Sequence, residues 1–349
     1  MQPSSQIGTL AEIAQLTGLS KASVSAALSG RGGNTRVSAA TVRRVQEAAR
    51  QLNYRTNASA RAMRSKRFSN IGFILVNKET YDYAYSDVIL QGITSAATEH
   101  EQNVFLLRIP TEPDLSQKLP RPLSEACLDG LIVQDSAQLS PEFVEKVEGC
   151  GVPVIYLNEK RSTNAVYIDD VATGRIMTEA LLARGFRRIA LLAPLSRVPH
   201  YSAADRVEGY RNAMEEAGLP SQVKRFPSAN WMEDAAAWLA SGTAPLPEVI
   251  FCSGDQIALS LQRVLYSLDL KIPRDIAIAG CNDEIMAAHS PIPLTTMRIP
   301  FPTMSRIAVD LLMQLIEGGQ GGSLPSVVLQ PELVERFSTG MPFVLSYKF

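Results

Sequence analysis

The chain has 349 residues, of which 46% are hydrophobic, and a formal net charge of −1. This length is too great for one small domain and predicts two or three folding units with a sizeable core. No apolar run approaches the ~18 residues of a membrane-spanning helix and no signal-peptide pattern opens the chain, so we expect a cytoplasmic protein without a membrane segment. The four cysteines lack CxxC spacing, which predicts free thiols and argues against disulfides or a cysteine metal site.

The nearly neutral total hides two oppositely charged parts. Residues 1–67 contain 11 basic and 2 acidic side chains, a net charge of +9, which leaves −10 for the rest of the chain. A basic segment attached to an acidic body is typical of a nucleic-acid-binding domain joined to a domain with another role. The charge distribution therefore predicts that nucleic-acid binding belongs to the N-terminal segment.

The first helical pattern covers residues 9–30 and reads TLAEIAQLTGLSKASVSAALSG. Thr9 and Glu12 have the spacing of a capping box, and apolar residues at helical spacing follow them. Gly18 suits a tight turn with positive φ, and Ser20 is a good N-cap for a second helix. The apolar stripe of that second helix is Val24, Ala27 and Leu28. The pattern predicts a helix-turn-helix, whose second helix can enter the DNA major groove; the alternative is an ordinary helical hairpin in a small α domain.

Two further helices are predicted in the N-terminal segment. Ser38 opens a third helical pattern, whose inward side is Val42, Val45, Ala48, Ala49 and Leu52. A short alanine-rich helix follows from Ala58 to about Ser65, with Asn57 as its N-cap. This last helix is too short to be stable alone, so we expect it to fold on a partner or against its twin.

After Ser69 the pattern changes to apolar runs separated by helical stretches. The runs are IGFILV, VFLLRI, DGLIVQ, VPVIYL, RRIALLAP, EVIFCSG and IAIAGCND. The helices between them include one from about Ala204 to Ala217 and one from Gln256 to Leu268. The alternation predicts two parallel α/β sheets side by side. Ligands bind such sheets at the carboxyl ends of the strands, so the residues that follow each strand are the candidate contacts.

A resemblance to a known family rests on four segments, TLAEIAQLTGLSKASVSAALSG, VSAATVRRVQEAARQLNY, NASARAM and IGFILV. In order and nearly in spacing they resemble the lactose-repressor (LacI/GalR) family of bacterial transcription regulators. The resemblance implies an N-terminal all-α helix-turn-helix head-piece with a hinge helix. It also implies an α/β body of two lobes with parallel sheets, similar to the periplasmic binding proteins.

The resemblance further implies how the chain is divided. The expected parts are a helix-turn-helix DNA-binding domain at 1–55, a hinge helix and linker at 56–69, and an effector-binding and dimerisation domain at 70–349. Within the last part we expect lobe one at about 70–165 plus 299–326, and lobe two at about 166–296 plus 327–349.

By the same resemblance, a set of residues is expected at the DNA interface: Thr9, Ser20, Lys21, Ala22, Ser25, Ala26, Arg36, Asn57, Ala60 and Met63. Lys21 and Ala22 fall at positions that usually read operator bases, and Ser25 falls at a usual phosphate or base contact. Ala26 stands where the family commonly has Arg, so a bidentate guanine contact is missing and the operator should differ from those of Arg-bearing relatives. Met63 stands at the hinge position that wedges into the minor groove; the alternative is that it packs on its own domain.

A second set is expected at the effector site: Asn77, Tyr85, Ser86, Asp135, Asn158, Arg206, Trp231, Asp255 and Asn282. Arg206 and Gly209 match the family's RxxG, in which the Arg grips the effector; the alternative is a salt bridge on a helix surface. Trp231 is expected in a loop. Tyr85 and Ser86 are expected in a loop after the first strand, where Tyr85 either stacks on a ligand ring or is simply exposed.

The chemistry of these residues favours a sugar or sugar derivative as effector. The amides and the serine suit a neutral polyol, whereas Arg206 would also suit a sugar acid or phosphate. A purine or nucleoside is the second candidate. Gly254 replaces an Asn that the family usually has, which removes a polar contact and keeps a protein partner open as the controlling ligand.

No catalytic pattern accompanies these residues. His100, His200 and His289 are far apart in the sequence, and HExxH, GxSxG, P-loop and GxGxxG motifs are absent. We therefore predict a protein that is not an enzyme and has no metal or cofactor. The predicted function is a transcriptional repressor that binds a pseudo-palindromic operator as a homodimer. Effector binding is expected to change the arrangement of the two lobes, and the sequence leaves open whether this change releases the operator or promotes its binding.

Overall fold

The computed structural model describes residues 8–29, 37–55, 57, 62, 65, 67–77, 83–110, 121–135, 140–193, 195, 200–227, 230–242, 245–319 and 322–340. The chain divides into two compact units, Met1–Phe68 (unit one) and Ser69–Phe349 (unit two). The division falls directly after the basic segment.

The described helices of unit one are α1 (Leu10–Thr17), α2 (Lys21–Ser29) and α3 (Ala39–Gln51). The predicted capping box opens α1, because the Thr9 N–H donates to Glu12 Oε2 at 2.6 Å and the Glu12 N–H donates to Thr9 Oγ1 at 3.3 Å. Gly18 ends α1 with a φ of 64°, a conformation that glycine adopts without strain. The predicted helix-turn-helix is confirmed.

The three helices of unit one bury a small core. Its fully buried or nearly buried side chains are Ile13, Val24, Ala27, Val45, Ala48 and Ala49. Burying one aliphatic side chain contributes about 1.5–3 kcal/mol, so these few side chains hold the short helices together. The stripes predicted for the second and third helices are confirmed.

Unit two contains two six-stranded sheets among its described residues. The strands are β1 (Asn70–Asn77), β2 (Asn103–Pro110), β3 (Gly130–Asp135), β4 (Val154–Leu157), β5 (Ala165–Ile168), β6 (Ile189–Leu192), β7 (Gln222–Lys224), β8 (Val249–Cys252), β9 (Ala277–Asn282), β10 (Thr295–Arg298), β11 (Val327–Leu329) and β12 (Glu332–Val334). The first sheet has the order β11-β5-β4-β3-β1-β2 and the second has the order β12-β10-β9-β8-β6-β7. Neighbouring strands are parallel apart from β10 with β12, which confirms the predicted pair of parallel α/β sheets.

Helices connect these strands. They are α4 (Tyr83–Glu99), α5 (Arg121–Ser124), α6 (Pro141–Glu148), α7 (Asp170–Ala183), α8 (Tyr201–Glu216), α9 (Trp231–Ala240), α10 (Asp255–Ser267), α11 (Ile285–His289) and α12 (Phe301–Gly318). Helix α8 begins before the predicted Ala204 because His200 caps it, with Nδ1 accepting the Ser202 N–H at 3.3 Å. Helix α10 begins and ends one residue before the predicted bounds.

Two of the three crossings between the sheets come slightly later than predicted, whereas the crossing near Met297 agrees with the prediction. Residues 166–168 and 327–329 were expected in lobe two, but β5 and β11 both belong to the first sheet. The reason is that they pair with each other in parallel, Val166 opposite Val327 and Ile168 opposite Leu329. We therefore define lobe one as the first sheet with its helices and lobe two as the second sheet with its helices. The crossings follow β5, β10 and β11.

One apolar cluster runs through both lobes. It contains Phe73 and Ile155 from the first sheet together with Leu191 and Phe251 from the second. The covering helices contribute to the same cluster, for example through Met304 of α12. Smaller clusters cover the other face of each sheet. The lobes therefore share a continuous core on one face, and the carboxyl ends of their strands carry the polar residues.

Candidate functional site

The predicted DNA-reading residues of α2 lie on its outer side. Lys21 and Ala22 are exposed, and Ser25 and Ala26 are half-buried, whereas Val24 of the same helix is fully buried in the core. The helix begins at a capped end, because Ser20 Oγ accepts the Ser23 N–H at 3.1 Å. Short side chains and one lysine at a helix N-terminus suit close approach to bases and phosphates.

Only some of the other predicted DNA contacts lie among the described residues. Thr9 and Asn57 are exposed. Arg36, Ala60 and Met63 lie outside the described residues, as does most of the predicted hinge helix. Helix α3 adds exposed bases to unit one at Arg43 and Arg44.

Arg206 is the centre of the candidate effector site. Its Nε donates to Asp170 Oδ1 at 2.7 Å, and its Nη1 donates to the Ser253 carbonyl at 2.6 Å. The two side chains of the ion pair are only 11% and 1% exposed, so this is a buried pair and not the surface salt bridge of the alternative interpretation. Burial acts to lower the pKa of Arg206, but the Asp170 carboxylate outweighs it and raises that pKa. The arginine is therefore charged, and its charge is compensated within the protein.

The glycine of the RxxG motif makes this pairing possible. A Cβ at Gly209 would overlap the carbonyl oxygen of Val171, and a Cβ at Gly174 would overlap the carbonyl oxygen of Arg206. Helices α7 and α8 thus cross in backbone contact at these two glycines. The crossing brings Arg206 on α8 beside Asp170, the first residue of α7.

Asn158, which follows β4, is held by lobe two. Its carbonyl accepts a hydrogen bond from His200 Nε2 at 2.8 Å, and its Oδ1 accepts the Tyr201 hydroxyl hydrogen at 3.3 Å. The same hydroxyl accepts the Ile168 N–H at 3.4 Å. Nearby, Lys160 Nζ donates to Asp205 Oδ2 at 2.7 Å. Asn158 is therefore fixed at the boundary of the lobes.

Asp255 and Asn282 come together at the carboxyl end of the second sheet. Asp255 is fully buried, and its two carboxylate oxygens accept the Thr296 hydroxyl hydrogen at 2.6 Å and the Glu284 N–H at 2.8 Å. Burial raises the pKa of Asp255 to about 7. Asn282 is half-buried and ends β9. Asp255 thus points into its own lobe, and Asn282 is the more accessible of the two.

Two predicted placements are wrong in their local structure. Trp231 opens α9 and packs against the apolar cluster that contains Leu239, whereas a loop was expected. Acidic Glu233 and Asp234 in its first turn favour a helix start there. Tyr85 and Ser86 belong to the first turn of α4, again in place of a loop.

The remaining predicted contacts are placed by their backbones. Asn77 ends β1 and Asp135 ends β3, so both stand at the carboxyl edge of the first sheet. The side chains of these two residues, and those of Tyr85 and Ser86, lie outside the described part of the structure.

Gln134 is a candidate that the sequence did not single out. It lies in β3 between Leu75 and Leu157 of the neighbouring strands and is fully buried. Neither its Oε1 nor its Nε2 has a hydrogen-bond partner among the residues that the structure describes. A buried polar group without a partner costs roughly 1–3 kcal/mol, so such a group calls for a ligand or a water molecule. The sequence signal was a lone amide at the end of the apolar run DGLIVQ.

Comparisons with known proteins identify the family. A sequence model described as "Bacterial regulatory proteins, lacI family" matches residues 9–57, and one described as "Periplasmic binding protein-like domain" matches residues 178–339. The chain is 28% identical over 321 residues to the ribose operon repressor of Escherichia coli (strain K12), a match that covers 89% of this chain and 93% of that protein. The chain belongs to the lacI family of bacterial regulatory proteins.

Solved structures agree with this assignment. The transcriptional regulator CelR in complex with cellobiose is 25% identical, with a TM-score of 0.66 over 95% of this chain and 99% of that one. The lac repressor dimer bound to operator and the anti-inducer ONPF is 23% identical, with a TM-score of 0.75 over 96% and 99%, and shows that the fold is shared. This lacI-family chain is thus a DNA-binding transcriptional regulator with a helix-turn-helix domain and a two-lobed α/β body.

Among the described residues, no group of three or more His, Cys, Asp or Glu side chains is placed to hold a metal ion. In that same part of the chain no helix has the length and hydropathy needed to cross a membrane.

Proposed function

We propose that this lacI-family regulator is a cytoplasmic repressor that binds a pseudo-palindromic operator as a homodimer. One helix-turn-helix reads one half-site, so a two-fold dimer matches an operator of two half-sites. Lys21, Ala22, Ser25 and Ala26 of α2 are the proposed major-groove residues, with phosphate contacts from the basic side chains of unit one. Asn57, Ala60 and Met63 are the proposed hinge contacts in the minor groove.

The proposed effector is a neutral sugar bound between the lobes. The observation that carries this is the buried Arg206–Asp170 pair, because an anionic ligand would meet a compensated charge and gain little from it. The other proposed contacts, Asn158, Asn282 and Gln134, are amides, which offer both donors and acceptors to hydroxyl groups. Two relatives agree with this class, since one is named a ribose operon repressor and another was solved with cellobiose.

A thermal-shift panel tests the effector class. The full chain is heated with ribose, cellobiose, ribose 5-phosphate, gluconate or hypoxanthine, and a ligand at 100 times its Kd adds about 2.7 kcal/mol of stability. We expect a neutral sugar to raise the Tm and the two anions to have little effect. A shift with hypoxanthine alone, or with none of the five, would reject the sugar and favour the purine or the protein partner.

The charge argument has its own test in Asp170→Asn. This substitution leaves Arg206 buried without its counter-charge, so it should cost about 3–5 kcal/mol of stability and raise the affinity for ribose 5-phosphate relative to ribose. The matched control is Glu216→Gln, which breaks the more exposed Arg175–Glu216 pair and should cost less than about 1 kcal/mol. An unchanged ratio of the two affinities in Asp170→Asn would mean that Arg206 does not meet the ligand.

DNA binding is tested by selection from a random duplex library. The parent should enrich a two-fold symmetric sequence, and Lys21→Ala should lose that preference because the exposed lysine is removed from the reading face. Lys271→Ala, which removes an exposed lysine of unit two, is the control and should enrich the same sequence as the parent.

A further inference from the structure

The turn after β9 has an unusual backbone. Asn282 has a φ of 116° and Asp283 has a φ of 54°, so two successive residues that are not glycine lie at positive φ. Such conformations cost on the order of 1–3 kcal/mol each and persist only where the surroundings hold them. Something next to this turn must therefore stabilise it.

Part of that stabilisation comes from the Asp283 side chain, which pairs with Arg298 at 2.8 Å and with Arg336 at 2.6 Å. Asp255, at the start of α10, holds the backbone of the turn. Its Oδ2 accepts the Glu284 N–H directly at 2.8 Å. Its Oδ1 accepts the Thr296 hydroxyl hydrogen at 2.6 Å, and the Thr296 oxygen in turn accepts the Asp283 N–H at 3.4 Å. A single carboxylate thus holds both backbone N–H groups that follow Asn282.

The space around this carboxylate is closed. Asp255 and Thr296 are both fully buried. A Cβ at Gly280 would overlap Asp255 Oδ1 and lie 2.8 Å from Leu294 Cδ2, so only glycine lets β9 pass this close to the carboxylate. The side chain is therefore confined to the position in which it bonds the turn.

The same short loop reaches Arg206. Ser253, two residues before Asp255, accepts the Arg206 Nη1 hydrogen through its carbonyl at 2.6 Å. The segment Ser253–Asp255 thus contacts Arg206 at one end and the turn that carries Asn282 at the other. Two proposed effector contacts depend on one loop.

We propose that Asp255 is a positioning residue for effector binding, which acts by fixing the turn of Asn282 and does not itself touch the ligand. This inference rests on the proposed function, since Asn282 is taken as an effector contact. It reassigns Asp255, which the sequence placed among the direct contacts. The expected consequence is that loss of the carboxylate loosens the turn and weakens effector binding together.

The experiment compares Asp255→Ala with Asp255→Asn in the full-length protein. Alanine removes the acceptor for the Glu284 N–H, whereas asparagine keeps an amide oxygen in its place. Amide hydrogen exchange of the segment 282–289 should be about ten-fold faster in Asp255→Ala, the change expected for one lost hydrogen bond, and should return towards the parent rate in Asp255→Asn. Asp234→Ala of α9 is the matched control and should leave the exchange of this segment unchanged.

The second readout is calorimetric titration with ribose and cellobiose. The sugar that binds the parent should bind Asp255→Ala at least about ten-fold more weakly, with recovery in Asp255→Asn. Thr296→Val keeps the side-chain shape and removes the hydroxyl that links Asp255 to the Asp283 N–H. It should weaken sugar binding and speed exchange in the same way but less, and it replaces Asp255→Ala in the test if that variant fails to fold.

The outcomes separate the two proposals. Unchanged exchange in both Asp255→Ala and Thr296→Val, or faster exchange with full sugar affinity, would overturn the positioning role. If Asp255→Ala exchanges faster but the parent binds neither sugar, the result would support the role of Asp255 in fixing the turn and would count against a sugar as effector.

Discussion

Gln134 is a buried amide that the described residues leave without a hydrogen bond. Its amide is fully buried in β3, and no side chain or backbone group in the described part of the chain compensates its desolvation with a hydrogen bond. A sugar hydroxyl can donate to Oε1 and accept from Nε2, and would then satisfy the amide. Gln134 is therefore suited to bind a sugar hydroxyl.

For this reason we expect Gln134→Leu to stabilise the free protein by about 1–3 kcal/mol and to weaken sugar binding about ten-fold. Urea unfolding without ligand and calorimetric titration with ribose and cellobiose measure the two effects. Gln262→Leu is the matched control, because Gln262 Nε2 already donates to the Ile292 carbonyl at 3.1 Å and its loss should destabilise. A Gln134→Leu protein that is less stable yet binds sugar normally would contradict this role.

At the scale of elements, the site depends on the crossing of α7 and α8. The crossing needs both Gly174 and Gly209, since a Cβ at either position would overlap a carbonyl oxygen of the other helix. Arg206 and the His200–Tyr201 pair all lie on or cap α8. A shift of this helix would move every contact that lobe two makes with Asp170 and Asn158.

We therefore expect Gly209→Ala to cost about 1–3 kcal/mol through overpacking and to weaken sugar binding as the Arg206–Asp170 geometry is lost. Gly254→Ala provides the comparison, because its Cβ would meet only Ile257 Cδ1, at 3.8 Å. Chemical denaturation of both variants measures the difference. Equal stability of the two variants would show that α8 accommodates the methyl group by a small adjustment.

The elements that were predicted correctly are those specified by neighbouring residues. The capping box at Thr9 and the turn at Gly18 lie within one helical segment, so local chemistry determines them. The crossings after β5 and β11 were misplaced because Val166 pairs with Val327, a partner distant in the sequence that no local pattern indicates. Trp231 was expected in a loop, whereas it opens a helix whose first turn carries two acidic residues, and its ring packs on a core cluster.

Candidate side chains were predictable by type and strand position, but their partners were not. The RxxG pattern indicated Arg206, yet nothing in the sequence showed that Asp170 would compensate its charge. Likewise the position after β8 indicated Asp255, and only the fold shows that both of its oxygens are taken up within lobe two. Gln134 could not be singled out from the sequence, because only the packed sheet shows that none of the described residues bonds to its amide.

At the scale of the whole molecule, His200 links the two lobes in one protonation state. Its pKa is lowered mainly by burial, and its Nε2 hydrogen is donated to the Asn158 carbonyl, so Nδ1 is the acceptor that caps α8. The groups that face it are Asp170, Asp205, Arg206 and Ser202. Protonation at Nδ1 would remove that acceptor.

The sign of the pH effect follows from the lowered pKa. The unfolded chain binds a proton at His200 more readily than the folded chain, so stability is lost as the pH falls below the unfolded value of about 6.5. His200→Gln keeps a group that can donate to Asn158 but does not titrate. Its free energy of unfolding should therefore fall less between pH 7 and pH 5 than that of the parent. Urea unfolding at both pH values measures it, with His289→Gln, at an exposed position of α11, as control. Parallel losses in the parent and His200→Gln would mean that His200 titrates normally.

Control of DNA binding by the effector has a thermodynamic consequence that holds whichever direction the control takes. If a neutral sugar changes the affinity for the selected duplex by some factor, the duplex must change the affinity for that sugar by the same factor, because both describe one coupling free energy. Couplings of this kind are typically about 5–150-fold. We expect sugar titrations of the full chain with and without the duplex to give the factor measured in duplex titrations with and without the sugar. In Lys21→Ala, which should lose its preference for the selected sequence, the duplex should change the sugar affinity by a smaller factor than in the parent. Unequal factors in the parent would show that the number of associated chains changes during binding, since reciprocity holds only between states of the same assembly.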